Sequence, residues 1–121
     1  MIVVNSADVK TIETDETNDQ IVGKGPVLRK ELIAVKDTGG FGALLVTFKP
    51  GARLNFHTHT FEQILYVTEG KGIVATKQEE KVVTPGTIVY IQPGEAHWHG
   101  ATNNSSFSHI CIQKPGIKLA E

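Results

Sequence analysis

The sequence predicts an all-β domain, closed as a sandwich or a barrel. Turn chemistry built on Gly, Pro, Asn and Ser recurs about every eight to twelve residues. The segments between these turns are short and rich in β-branched and aromatic residues. No segment sustains the apolar spacing of an amphipathic helix. A length of 121 residues suits one domain with a single core, so one domain over residues 1–121 is expected.

The elements follow in order. The first 25 residues are polar and carry an acidic cluster, Glu13, Asp15 and Glu16. They read as a solvated N-terminal arm or an edge strand. Gly23-Lys24-Gly25-Pro26 marks a turn, and with no helix after it this is not a phosphate loop. A barrel is expected over residues 30–113. Leu32 to Val35 reads as a strand broken by Thr38-Gly39-Gly40, and Ala43 to Phe48 as one ended by Pro50-Gly51. Arg53 to His59 is the next, then Gln63 to Thr68, ending at Gly70-Lys71-Gly72, a hairpin signal. Gly72 to Thr76 and Lys81 to Thr84 flank the polar Lys77 to Glu80. Pro85-Gly86 leads into Thr87 to Ile91, and Pro93-Gly94 into a segment around His97. Asn103 to Ser106 turns into Phe107 to Gln113. Such a series of about eight to ten short strands suits a jelly roll, which can hold a ligand between its sheets.

Composition excludes several classes. Hydrophobic residues make up 40% of the chain, and no apolar run of about 18 residues is present, so no membrane helix is expected. The start lacks a basic region followed by an apolar stretch, so no secretory signal is expected. The single cysteine, Cys111, allows no internal disulfide and fits a reducing compartment, so a cytoplasmic location is expected. A net charge of −1 makes no electrostatic case for nucleic acid or an anionic membrane as partner.

The chemistry lies in the histidines. Four of the five occur as two His-x-His pairs, His57/His59 and His97/His99, each beside a Pro-Gly turn. In a strand, residues i and i+2 share a face, so each pair projects together. Imidazole is the commonest ligand for divalent transition metals, and a metal centre inside the β domain follows as the first expectation. Arg53 and Asn55 share the parity of His57 and are candidates to reach a substrate, although for Arg53 a structural role near the barrel rim is favoured. Trp98 falls on the face opposite its neighbours and reads as packing. His109 shares a face with Phe107, Cys111 and Gln113, and reads as either a hydrogen-bonded core residue or a general base. For His99 a core role and a catalytic role both stand. Cys111 reads as a small buried apolar residue.

The two histidine segments resemble the two motifs of the cupin superfamily. Gly51, His57, His59, Gln63 and Gly70 fill the spacing of the first, with Gln63 where Glu is usual. Gly86, Pro93, Gly94 and His97 match the second, with Gln92 at its proline and Ala101 at its asparagine. More narrowly, the chain resembles cupins related to carboxymuconolactone decarboxylase and the manganese-dependent hydroxynitrile lyases. It carries Thr60-Phe61-Glu62 where that subgroup has Pro-x-Gly. The resemblance implies a cupin jelly-roll β-barrel and one divalent metal ion held by His57, His59, Gln63 and His97. It favours manganese, with iron, zinc or nickel as alternatives. It also places His99 and His109 in the pocket as candidate catalytic residues. Glu62 is the competing ligand, although strand alternation puts it on the opposite face from Gln63.

Glutamine brings no charge, so an ion held by three His and one Gln keeps its full positive charge and polarises a bound oxygen strongly. The resemblance implies a metal-dependent lyase or decarboxylase acting on a small oxygen-bearing substrate, hydroxynitrile cleavage being one instance. A metal-dependent dioxygenase, a non-catalytic binding module and a metal that only stabilises the barrel are the alternatives. A homodimer is expected by resemblance.

Overall fold

In the computed structural model the described residues are 1–14, 21–23 and 26–114. Among them, eleven strands form two sheets. These are β1 (Ile12–Glu13), β2 (Ile21–Gly23), β3 (Val27–Ile33), β4 (Gly42–Phe48), β5 (Ala52–Leu54), β6 (Gln63–Gly70), β7 (Gly72–Thr76), β8 (Glu80–Val83), β9 (Ile88–Ile91), β10 (His97–Ala101) and β11 (Phe107–Gln113). One sheet runs β1-β3-β4-β11-β6-β9 and the other β2-β5-β10-β7-β8, with all pairs antiparallel. This is the expected jelly roll.

The N-terminal segment supplies an edge strand to each sheet, β1 against β3 and β2 against β5. Asp15, Glu16, Lys24 and Gly25 lie outside the described residues. The strand expected over residues 32–35 starts earlier and ends sooner. β3 begins at Val27, and Val35–Thr38 forms a helical turn, α1, closed by Gly39 in the left-handed region. The polar run Arg29-Lys30-Glu31 concealed the strand, because its burial alternates without apolar alternation.

The expected hairpin at Gly70-Lys71-Gly72 is a crossing between sheets. β6 pairs with β9 and β11, whereas β7 pairs with β8 and β10. Gly70 sits at φ 76°, where a side chain would collide with the Ser106 carbonyl. A side chain at Gly72 would occupy the space of the Phe107 ring. The turn residues serve close packing here, and the chain changes layer within three residues.

The interior has two ends. Val27, Phe48, Ala52, Val67, Val83, Ala101 and Phe107 pack together at one of them. Phe48 and Phe107 are completely buried with their rings stacked at 5.9 Å. Burial of one such side chain contributes about 1.5–3 kcal/mol. Moving away from this plug, β10 presents Ala101, His99 and then His97, while β11 presents Phe107, His109 and then Cys111. Leu65, Ile91 and Cys111 form a second apolar cluster farther along. The outer face of the six-stranded sheet is also apolar. Tyr66 lies opposite Ile88, Ile64 opposite Tyr90 and Ile112, and Tyr66, Ile88, Tyr90 and Ile112 are exposed.

Candidate metal centre

Backbone pairing assembles the site. His57 and His97 exchange both N–H···O bonds at 3.0 Å in an isolated antiparallel bridge. The His59 carbonyl accepts from Gly94 N–H at 2.8 Å. Both residues of the first His pair are thus tied to the segment that carries the second. Ring centroids lie 4.3 Å apart for His57 and His97, 4.9 Å for His57 and His59, and 4.8 Å for His59 and His97. One ligand nitrogen from each falls within 4.8 Å of the others.

Two of these rings are oriented alike. His57 donates from Nδ1 to the Asn55 carbonyl and His97 from Nδ1 to the Glu95 carbonyl, both at 2.8 Å. Each bond reaches two residues back along the chain and fixes the tautomer that leaves Nε2 as a lone pair. His97 Nε2, His59 Nδ1 and the Gln63 carbonyl oxygen Oε1 are buried without a partner among the described residues. Leaving such groups unsatisfied costs about 1–3 kcal/mol each. An ion among them would satisfy lone pairs that the fold otherwise isolates, and the residues fit a divalent metal on that ground.

Burial keeps the rings neutral, which is the form a metal requires. It lowers the pKa of His97 to about 4 and that of His57 below its ordinary value. His59 falls to about 4 through burial and the nearby His97 and His57.

Gln63 begins β6 and is buried, with Nε2 donating to Cys111 Sγ at 2.8 Å. Burial raises the Cys111 pKa to about 11, so it stays a thiol. Glu62 points elsewhere. It pairs with Lys114 at 2.9 Å, and that hydrogen bond lowers its pKa. It stands outside the histidine group, as strand alternation implies.

The other two histidines form a second group. His99 Nδ1 and His109 Nε2 lie 3.1 Å apart, joined by a hydrogen bond between the two sheets. Burial lowers both pKa values, that of His109 to about 4 and that of His99 well below its ordinary value, with His109 adding to the latter. Phe48 packs against both rings at 5.7 Å. The outer nitrogens, His99 Nε2 and His109 Nδ1, are buried and unpartnered among the described residues. His99 lies 5.8 Å from both His57 and His97, ring to ring, so the two groups adjoin.

Two expectations about the first segment need correction. β5 ends at Leu54, and the antiparallel register against β10 slips by one residue between Arg53↔Gly100 and His57↔His97, so parity does not carry across. Arg53 pairs with Gly100 and faces outward, its guanidinium 4.5 Å above the Trp98 ring. Asn55 is exposed, and its backbone carbonyl accepts from His57 Nδ1. Trp98 lies on the face opposite its histidine neighbours, as expected. The Gln63–Cys111 contact was not foreseen. The signal available was the shared face of His109, Cys111 and Gln113.

A cavity of about 320 Å³ between β7, β8 and β9 reaches His97. Val74, Val83, Val89 and Ile91 give it apolar walls, and Thr76 and Lys81 add polar groups.

The sequence model of the family described as "Cupin domain" matches residues 44–112, more than half of the chain. The chain is 37% identical over 112 residues to (R)-mandelonitrile lyase of Granulicella tundricola, covering 85% of each protein. It is 28% identical over 119 residues to L-ectoine synthase of Bordetella parapertussis, covering 97% of this chain and 86% of the relative. Among solved structures, it superposes on a cupin-like protein of Thermotoga maritima with a TM-score of 0.74 at 33% identity. That match covers 80% of this chain and 73% of the other. Histidine spacing, sheet order and relatives agree, and the chain belongs to the cupin family.

Proposed function

We propose that the protein is a metal-dependent lyase for a small oxygen-bearing substrate, with hydroxynitrile cleavage as the first candidate reaction. The observation that carries this reading is the adjacency of two histidine groups with different partners. His57, His59 and His97, with Gln63, would hold one divalent ion, manganese being favoured. Such an ion supplies Lewis-acid polarisation of a substrate oxygen or nitrogen.

The His99–His109 pair would manage the proton. With both rings neutral, the bond between them uses one N–H and one lone pair. Whichever ring donates, one outer nitrogen of the pair then carries an N–H and the other a lone pair. The pair is therefore a base at one end and an acid at the other, and the ends are exchanged when the base end takes up a proton, the shared proton crosses and the acid end releases one. In cyanohydrin cleavage the base end takes the hydroxyl proton. The oxygen electrons form the carbonyl, the C–C bond breaks, and cyanide leaves with its electron pair and accepts a proton. Burial keeps both rings neutral at pH 7, which leaves the base end an open lone pair while weakening it as a base. The cavity beside His97 would receive the substrate, its aliphatic walls suiting an apolar substituent.

A purely structural metal would not need a second, protonatable pair beside it. The expected homodimer has a suitable face in the exposed Tyr66, Ile88, Tyr90 and Ile112. The test is benzaldehyde release from mandelonitrile by protein stripped of metal and by protein reloaded with Mn²⁺. Activity in the reloaded form alone supports the reading. No activity in either form, with Mn²⁺ bound, would leave a binding protein.

A further inference from the structure

A glutamine ligand poses a problem that a carboxylate does not. Its two ends are nearly the same size, and only the oxygen can bind a cation, whereas the NH₂ group repels it. Something must select the orientation. Gln63 is 94% buried, since its relative exposure is 6%, so water does not make the selection. Its Nε2 donates to Cys111 Sγ at 2.8 Å, and Oε1 has no partner among the described residues. Cys111 in turn donates to Gln113 Oε1 at 3.3 Å. The register makes this a closed patch, with Gln63 opposite Gln113 and Leu65 opposite Cys111 on paired strands.

A thiol has one hydrogen. Directed at Gln113, it leaves only sulfur lone pairs facing Gln63, and those accept from NH₂ but cannot pair with a carbonyl oxygen. Donation thus runs one way, from Gln63 to Cys111 and from Cys111 to Gln113, with Gln63 Oε1 left for the site. Cys111 stands outside the group of residues within ligand reach of one another, so it acts on the centre through Gln63.

We infer that Cys111 is a positioning residue that sets the amide orientation of Gln63 and thereby presents Oε1 to the metal, with Gln113 fixing the direction of the thiol. This rests on the reading of Gln63 as a ligand. It predicts that Cys111→Ala weakens Mn²⁺ binding by about tenfold, the scale on which outer partners of metal ligands act. Cys111→Ser, which keeps one donor and an acceptor, should restore most of the affinity. Gln113→Leu frees the thiol hydrogen to turn towards Gln63 and should weaken binding as well.

The experiment is titration with Mn²⁺, by competition with a chelating dye, of wild type, Gln63→Ala, Cys111→Ala, Cys111→Ser and the Gln63→Ala/Cys111→Ala double variant. Melting curves of each in the metal-free form check the fold. The expected pattern is loss in Gln63→Ala, loss in Cys111→Ala, rescue in Cys111→Ser and no further loss in the double variant. If Gln63→Ala weakens binding and Cys111→Ala does not, the inference is overturned while the ligand reading stands. If Cys111→Ala lowers affinity equally with or without Gln63, the cysteine acts by packing and the inference is overturned. If Gln63→Ala leaves affinity unchanged, the ligand reading fails and this inference fails with it.

Discussion

The five histidines differ less in burial than in what their second nitrogen meets. His57 and His97 each spend Nδ1 on a carbonyl two residues back, which leaves a lone pair of fixed direction. His99 and His109 spend a nitrogen on each other across the two sheets, which leaves a proton whose position can change. The first arrangement suits an ion and the second suits a proton. The second pair packs directly against Phe48 and Phe107 of the apolar plug, whereas the rings of the first pair meet other histidines. Under the proposed function a single residue type serves two tasks, and its hydrogen-bond partner decides which.

The largest effect should come from the ion-binding group. His97→Ala removes a proposed ligand together with the ring nearest His57, and should abolish measurable Mn²⁺ binding and turnover of mandelonitrile together. Elemental analysis after dialysis against Mn²⁺ reads the first and benzaldehyde release the second. Retained stoichiometric metal in that variant would break the division between the groups.

His109→Ala should separate them. Metal content should stay at the wild-type level while turnover falls by roughly 10²–10⁴-fold, the usual contribution of a positioned acid–base group. Unchanged turnover would return His109 to the core, where its sequence neighbours Phe107 and Cys111 equally placed it.

Acid should affect both groups. A histidine whose folded pKa lies below its unfolded value binds fewer protons when folded, so stability holds above the unfolded pKa and declines as pH falls towards the folded one. For His109 that window runs from 6.5 down to about 4. The difference corresponds to about 3 kcal/mol for this fully buried ring. Urea titrations of metal-free protein between pH 7 and pH 4.5 should show the decline. Metal affinity should fall over the same range, because protons compete for the ligand nitrogens. A flat stability profile would mean that the rings are not held neutral by burial.

The smallest effect belongs to Glu62→Gln. Its carboxylate pairs with Lys114 at the surface, so Mn²⁺ affinity and melting temperature should not change measurably. A clear loss of metal would move the ligand from Gln63 to its neighbour.

How far these features were legible follows from the range of each interaction. The His-x-His alternation and the Pro-Gly turns are local, and the sequence showed the strands and both pairs of histidines from them. The turn at Gly70-Lys71-Gly72 was misread because local chemistry is the same whether the next strand pairs back or passes to the other sheet. The packing of Phe107 and Ser106 against these glycines decides that, and it comes from far along the chain. Arg53 and Asn55 share the parity of His57 only if alternation is counted through a one-residue register slip after Leu54 that no residue marks. β3 was hidden because Arg29 and Glu31 interrupt the apolar pattern of a strand that is only partly buried. The bond between His99 and His109, like that between Gln63 and Cys111, joins residues whose approach only the closed barrel defines.

The most direct test of the central claim is anomalous diffraction at the manganese edge from crystals of the Mn²⁺-loaded protein. The account predicts one strong peak between the rings of His57, His59 and His97 and beside Gln63 Oε1, with none between His99 and His109. A peak at Glu62, or density bridging the His99–His109 pair, would contradict it.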